Sequence, residues 1–258
     1  MIRAVLFTTL LYLTSPIVAP GAAAARLDYG LYVLGVPVAD AWVTLDLSAA
    51  TYRIAFQFQT IGVASLVKDD RLEEHTTGRL DKGGPAPEAY LSTGYIHGLD
   101  RVVGMNWRDG NPVVTTRNPP NRGERDDVPM ALQAHTVDPL SAIVLLIHLV
   151  ALTGRCEGNA RTYDGRRLES FEVKTAGEED VAPSIHSSFS GRGLRCDFTN
   201  QALAGFRLGS NRDDDLRQHR GTMWFSQVLP GAPRLPIRVS IETQFLGDAM
   251  VYLKAVTP

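Results

Sequence analysis

The residues best equipped for chemistry are few and scattered. The chain has two cysteines, Cys156 and Cys196, and six histidines: His75, His97, His135, His148, His186 and His219. No two histidines stand four apart, and no H-E-x-x-H or Cys/His spacing suits a metal site. His148 sits in an apolar run. It reads as a core histidine hydrogen-bonded to a carbonyl or carboxylate, in preference to a catalytic base. Ser141 lies outside any G-x-S-x-G elbow and reads as a hydroxyl satisfying local backbone donors. Asp69-Asp70 and Glu73-Glu74 could supply the paired carboxylates of glycoside chemistry. Adjacent strand residues point to opposite faces, so a solvated surface is the expectation for both pairs. Asp213-Asp214-Asp215 lacks the twelve-residue calcium-loop pattern, and flanking arginines make it a self-neutralising loop. No glycine-rich phosphate loop follows a strand. The expectation is no catalytic, metal or cofactor-binding residue and no cofactor.

The cysteines are interpreted through the N-terminus. Arg3 precedes an apolar stretch through Leu6, Leu10, Leu11, Leu13, Ile17 and Val18, and Gly21-Ala22-Ala23-Ala24-Ala25 follows. This is the layout of a secretory signal peptide over residues 1–25, with an A-x-A processing site. The alternative, a single membrane anchor, fits less well. Pro16 and Pro20 interrupt a segment already short of the roughly 20 residues a spanning helix needs. No cysteine adjoins the junction, so lipid modification is not expected and no transmembrane segment remains after cleavage. A periplasmic, oxidising location makes Cys156 and Cys196 a disulfide pair. Two buried free thiols are the alternative, although polar neighbours (Arg155, Glu157, Arg195, Asp197) make neither position look like core. The net charge of −2 argues against nucleic acid as a partner. Arginine greatly outnumbers lysine, a bias more readily ascribed to genome composition than to binding.

The rest of the chain must position these groups, and its signal is mostly strand. Tyr52, Ile54, Phe56 and Phe58 alternate with Arg53, Ala55, Gln57 and Gln59, the period of a strand with one apolar face. Similar alternation marks Leu27–Val33, Trp42–Leu47, Leu72–Leu80, Tyr90–His97, Arg101–Arg108, Leu168–Lys174, Leu194–Thr199, Thr222–Leu229, Leu235–Phe245 and Ala249–Val256. Asp164-Gly165, between two strand-like runs, is a strong hairpin turn. Asn118–Val128 and Asn211–Arg220 read as exposed loops. The expected fold is mainly β: one domain over residues 26–258, an antiparallel meander curled into an open or half β-barrel. One segment differs. Asp138 as N-cap, Pro139 at the first helical position and Gly154 after the end bracket a helix over about Pro139–Leu152. It is apolar nearly all round, so it should fill the hollow of the sheet, with Leu145 or Leu146 against strand residues.

The order of these features resembles DUF3108, an uncharacterised bacterial exported family. The similarity is carried by Thr136-Val137-Asp138-Pro139-Leu140-Ser141 and Tyr163-Asp164-Gly165-Arg166-Arg167, then by Cys196, Ala204-Gly205-Phe206, Pro236-Ile237-Arg238 and Gly247. The resemblance implies an exported β-rich protein and brings no catalytic residues with it. Three functions compete. The first is non-enzymatic binding of a lipid or other apolar or amphipathic ligand, or of a partner segment, in the concave face of the sheet. The second is an envelope-integrity scaffold that binds protein or peptidoglycan through its surface. The third is a hydrolase whose site converges only in three dimensions. N-terminal sequencing of exported protein should give a start at Ala25 or Arg26; a start at Met1 would refute the leader.

Overall fold

The computed structural model describes residues 23–81, 83–243 and 247–258. Most of the leader lies outside these residues. Thirteen strands form one antiparallel meander: β1 (Ala23–Val33), β2 (Val36–Leu47), β3 (Thr51–Thr60), β4 (Arg71–Asp81), β5 (Gly84–Ile96), β6 (Leu99–Arg108), β7 (Asn111–Asn118), β8 (Gly158–Tyr163), β9 (Leu168–Val181), β10 (Gly191–Ala204), β11 (His219–Ser226), β12 (Leu235–Glu242) and β13 (Asp248–Thr257). Three short helices, α1 (Gly62–Val67), α2 (Met130–Gln133) and α4 (Arg212–Asp215), lie in connections. The long helix α3 (Pro139–Thr153) runs between the two outermost strands.

The strand order is β7-β6-β5-β4-β3-β2-β1-β13-β12-β11-β10-β9-β8. The first and last strands of the chain are therefore neighbours at the middle of the sheet. The outer strands β7 and β8 do not pair, so the curled sheet is an open barrel. Period-two patterning builds it: in β3, Tyr52 and Ile54 are buried while Thr51 and Arg53 are exposed. β1 starts at Ala23, pairing with Leu47, inside the run the sequence assigns to the leader. The sequence reading also missed β7, because Pro112 beside Asn111 looks like a turn. Proline is tolerated at a sheet edge, and β7 is an edge strand. The 211–220 segment is not all loop: Asn211 caps α4 and β11 begins at His219.

α3 fills the hollow. Asp138 accepts a hydrogen bond from the Ser141 amide, Pro139 opens the helix, and Gly154 closes it with φ 68° in the left-handed region. Leu140, Val144, Leu146, Ile147 and Val150 pack into a core shared with Leu27, Leu45 and Ile54 on one side. Leu194, Phe225, Ile237 and Leu253 close it on the other. α3 contacts β3, β4, β5 and β8. Midway along α3, Leu145 Cδ1 is 2.8 Å from the point a Cβ would occupy at Gly84, beside the β4–β5 turn.

The sulfurs of Cys156 and Cys196 are 2.03 Å apart, joining the approach to β8 to β10 across β9. Both residues are fully buried, contrary to the reading of their polar neighbours. Cys196 points inward between outward Arg195 and Asp197, which is what strand alternation dictates. Closing a loop over a separation of 40 residues stabilises the fold by about 4 kcal/mol on the chain-entropy model.

Leu146 is 2% exposed and sits in the main core. Leu146→Ala should lower the unfolding free energy by about 2–5 kcal/mol in chemical denaturation, the range of buried leucine truncations. A change within roughly 0.5 kcal/mol, typical of surface positions, would show that α3 does not plug the barrel.

Candidate functional site

Antiparallel pairing brings the 34–35 turn, the 97–98 turn, the 164–167 turn and the 205–218 connection to one end of the barrel. α3 fills the other end, leaving this mouth open above the helix N-terminus. The floor is polar and fully satisfied. Asp138 and Ser141 are completely buried. Besides the Ser141 amide, at 2.9 Å, Asp138 accepts bonds from the Ser141 hydroxyl and from Thr76 Oγ1, 3.1 Å away. Tyr52 OH lies 2.7 Å from Ser141 Oγ. Burial pushes the Asp138 carboxyl above the ordinary aspartate range, against the opposing pull of its hydrogen bonds. Ser141 thus does more than cap backbone donors: it ties the helix start to β3 and β4.

Two residues up β4 from Thr76, on the same face, stands Glu74. It accepts a bond from the hydroxyl of buried Tyr90. Glu73 and Glu74 do split to opposite faces, but the inward one is not solvated. Desolvation raises the Glu74 carboxyl, while its partner Glu73 lies outside, hydrogen-bonded by His75 and lowered.

Above Glu74 and Tyr90 opens a cavity of about 530 Å³. Its walls come from β4, β5 and β6, the 164–167 turn and the two loops around residues 124 and 207. Five arginines line it: Arg101, Arg125, Arg166, Arg167 and Arg207. The carboxylates are Glu74, Glu124 and Asp164. Leu72, Ile96, Leu99, Val103 and Leu208 supply the apolar part. Several groups are held tightly. Arg101 grips Glu124 through two bonds of 2.8 and 2.9 Å. Arg166 donates to Pro119 O at 2.7 Å and to Asn121 Oδ1 at 3.3 Å. Asp164 accepts from the Arg166 and Arg167 amides and pairs with the Arg167 side chain at 3.2 Å.

Glycine sets the shape of this end at two points. Gly165 has φ 83°, and an added Cβ would lie 2.3 Å from Val103 Cγ1. Gly205 has φ 77°, and its Cβ would lie 2.1 Å from Arg166 O. Only glycine lets the 205–208 segment rest on the hairpin turn. Arg125 then bridges to Arg207, with Asp126 N to Phe206 O and Leu208 N to Glu124 O at 2.9 Å each.

The sequence singled out Asp138, Pro139, Asp164 and Gly165 as structural residues; the structure puts the first pair beneath the pocket and the second pair on its rim. It missed the arginines, because they come from four separate segments and share no spacing. Their excess over lysine was the one available signal. The 118–128 segment is a rim wall and not simply an exposed loop, since Asn121 and Val128 are buried. His148 differs from its expected role: Nε2 is buried and has no hydrogen-bond partner. His97 lines the mouth, with Nδ1 3.6 Å from Asp70 Oδ2. No hydroxyl hydrogen-bonds to it among the described residues, so it forms no nucleophile–base pair there. Among the described residues no cluster of three or more His, Cys, Asp or Glu side chains could hold a metal ion. No helix there is long and apolar enough to cross a membrane.

Residues 26–254 match the family model described as a protein of unknown function, DUF3108. The chain belongs to the DUF3108 family. No curated protein sequence matches it. Among solved structures, this DUF3108 protein is similar to the β-barrel-like DUF1849 protein from Brucella abortus. The TM-score is 0.51 at 13% identity, with 90% of this chain and 96% of the other covered. At that identity the likeness concerns the fold alone, an open β-barrel-like sheet.

The buried carboxyl under the mouth gives a pH prediction. The folded pKa of Asp138 lies above its ordinary value of 3.8. Its stability contribution is therefore fully present below about pH 3.8 and is lost as pH rises through the folded pKa. Asp138→Asn has no such titration. Urea unfolding from pH 3.5 to 7 should show wild-type stability falling relative to the variant as pH rises; parallel profiles would contradict the burial-driven shift.

Proposed function

We propose that this DUF3108 protein is a non-enzymatic binding protein of the bacterial periplasm, holding an amphipathic ligand or partner segment in the open mouth of its barrel. The observation that carries the reading is the mouth cavity itself. It is of ligand-binding size, mixes apolar side chains with convergent polar groups, and stands over a closed hydrogen-bonded floor. α3 packs against the main core in the other half of the barrel, and the cavity of about 510 Å³ at that end, between the β4–β5 and β6–β7 turns, has only Arg79 as a lining arginine, against five at the mouth. The periplasmic part rests on the leader composition and on the cysteine pair at bonding distance, which suits an oxidising compartment.

A second reading, a scaffold that docks an envelope protein, draws on a different feature of the same end. Val63, Leu66 and Val67 of α1 and Leu34 of the neighbouring hairpin turn are strongly exposed. α1 packs against β2, the strand that follows Leu34, and exposed apolar side chains at one end are the kind of feature that marks interaction surfaces.

Native mass spectrometry of protein purified from its own periplasm separates the two. The ligand reading expects a bound adduct of a few hundred daltons that Ser92→Trp, which fills the cavity, removes. An adduct-free protein that co-purifies with a stoichiometric protein partner, lost on Leu66→Asp, would replace it with the scaffold reading.

A further inference from the structure

The cations of the mouth are not equally engaged. Arg101, Arg166 and Arg167 are committed to Glu124, to Asn121 with a backbone carbonyl, and to Asp164 with Glu169. Arg125 spends one Nη1 bond of 2.9 Å on Gly205 O and has no carboxylate within ion-pair distance among the described residues. The Arg207 guanidinium has no hydrogen bond or ion pair among the described residues.

These two side chains are nonetheless held side by side. Arg125 and Arg207 face each other across an antiparallel bridge, and opposed residues of such a pair share a face. Like charges set opposite one another are destabilising. Burial lowers the Arg125 guanidinium below its ordinary range, and the neighbouring Arg167, Arg207 and Arg101 push it the same way. The pocket as a whole has five guanidiniums against three carboxylates, an excess of two positive charges even with Glu74 ionised. An oxyanion is the group that relieves this, since guanidinium donors match phosphate and carboxylate oxygens.

Apolar residues flank the cations. Leu99 is 45% exposed and Leu208 52% exposed, and Ile96 and Leu72 also line the pocket. A purely polar anion would leave these uncovered. A ligand with an alkyl stem would bury them.

We propose that the mouth is an oxyanion site for a phosphate or carboxylate group borne on an apolar stem, gripped by Arg125 and Arg207 and packed against Leu99 and Leu208. The proposal rests on the mouth-binding reading above and adds the chemical class of the ligand.

The test is isothermal titration of the full exported chain with decyl phosphate, decanoate, inorganic phosphate and the uncharged decyl maltoside, each below its micelle concentration. Decyl phosphate or decanoate should bind at least tenfold more tightly than both decyl maltoside and inorganic phosphate, and should weaken as salt is raised. Arg207 is exposed, so Arg207→Ala leaves the fold alone; it should cost that anionic probe at least threefold. Arg125→Ala/Arg207→Ala should cost at least tenfold, with decyl maltoside unaffected and Tm within a few degrees of wild type. Decyl maltoside binding as tightly as the anionic probes, or insensitivity of those probes to Arg207→Ala, overturns the oxyanion site while leaving a mouth-binding protein. Inorganic phosphate binding as tightly as decyl phosphate overturns the apolar stem. If no alkyl probe binds, the mouth-binding reading falls as well.

Discussion

The structure depends on burying one helix that cannot be left in water. α3 is apolar nearly all round, and seven of its fifteen residues are buried. A flat sheet would cover one side of such a helix; a sheet curled through thirteen strands covers most of it. The gap between β7 and β8 follows from the same fact. The chain must leave one edge, pass through the hollow as α3, and re-enter at the other edge, so the two edges stand apart. Because α3 is short, it fills only part of the hollow, and a mouth is left over.

That leftover space explains where polar chemistry gathers. A helix start inside a barrel brings unpaired amide donors into a place water does not reach. Asp138 satisfies the Ser141 amide, and Thr76 and Tyr52 complete the network. The floor of the mouth is thus the capped end of the plug. Glu74 and Tyr90 continue it upward on the β4 and β5 walls. Above them the packing gives way to arginines, some tied to carboxylates and some not.

Much of the fold was legible because it is governed by periodicity. Alternation in Tyr52–Gln59 reports a half-buried strand whatever the tertiary context, and the Asp138-Pro139 and Gly154 signals mark helix ends by local geometry. The failures were positions where local pattern and tertiary place diverge. Pro112 opens an edge strand, a distinction invisible without knowing which strand is last. Cys196 has charged neighbours because its strand has a wet face. Glu74 looks like half of a solvated pair until Tyr90, from the next strand, closes over it. The mouth was the least legible part. Arg125 and Arg207 are 82 positions apart and meet only through the bridge that Gly205 permits. No spacing rule connects them.

The placement of β1 beside β13 sets a constraint on time. The two strands are paired from Arg26 with Thr257 to Val33 with Ala249, at the centre of the sheet. One partner is the first strand to be synthesised and the other is the last. The wings β1–β7 and β8–β13 can each zip up from neighbouring hairpins as they emerge, but the seam joining them must wait for β13. Until then β1 presents an open edge along its length, with Leu27, Leu31 and Val33 on it, the kind of template that invites pairing with the wrong chain. Such long-range closure is also intrinsically slow. A chain of this design has reason to be shielded during its synthesis, and loss of β13 would unzip the sheet at its middle.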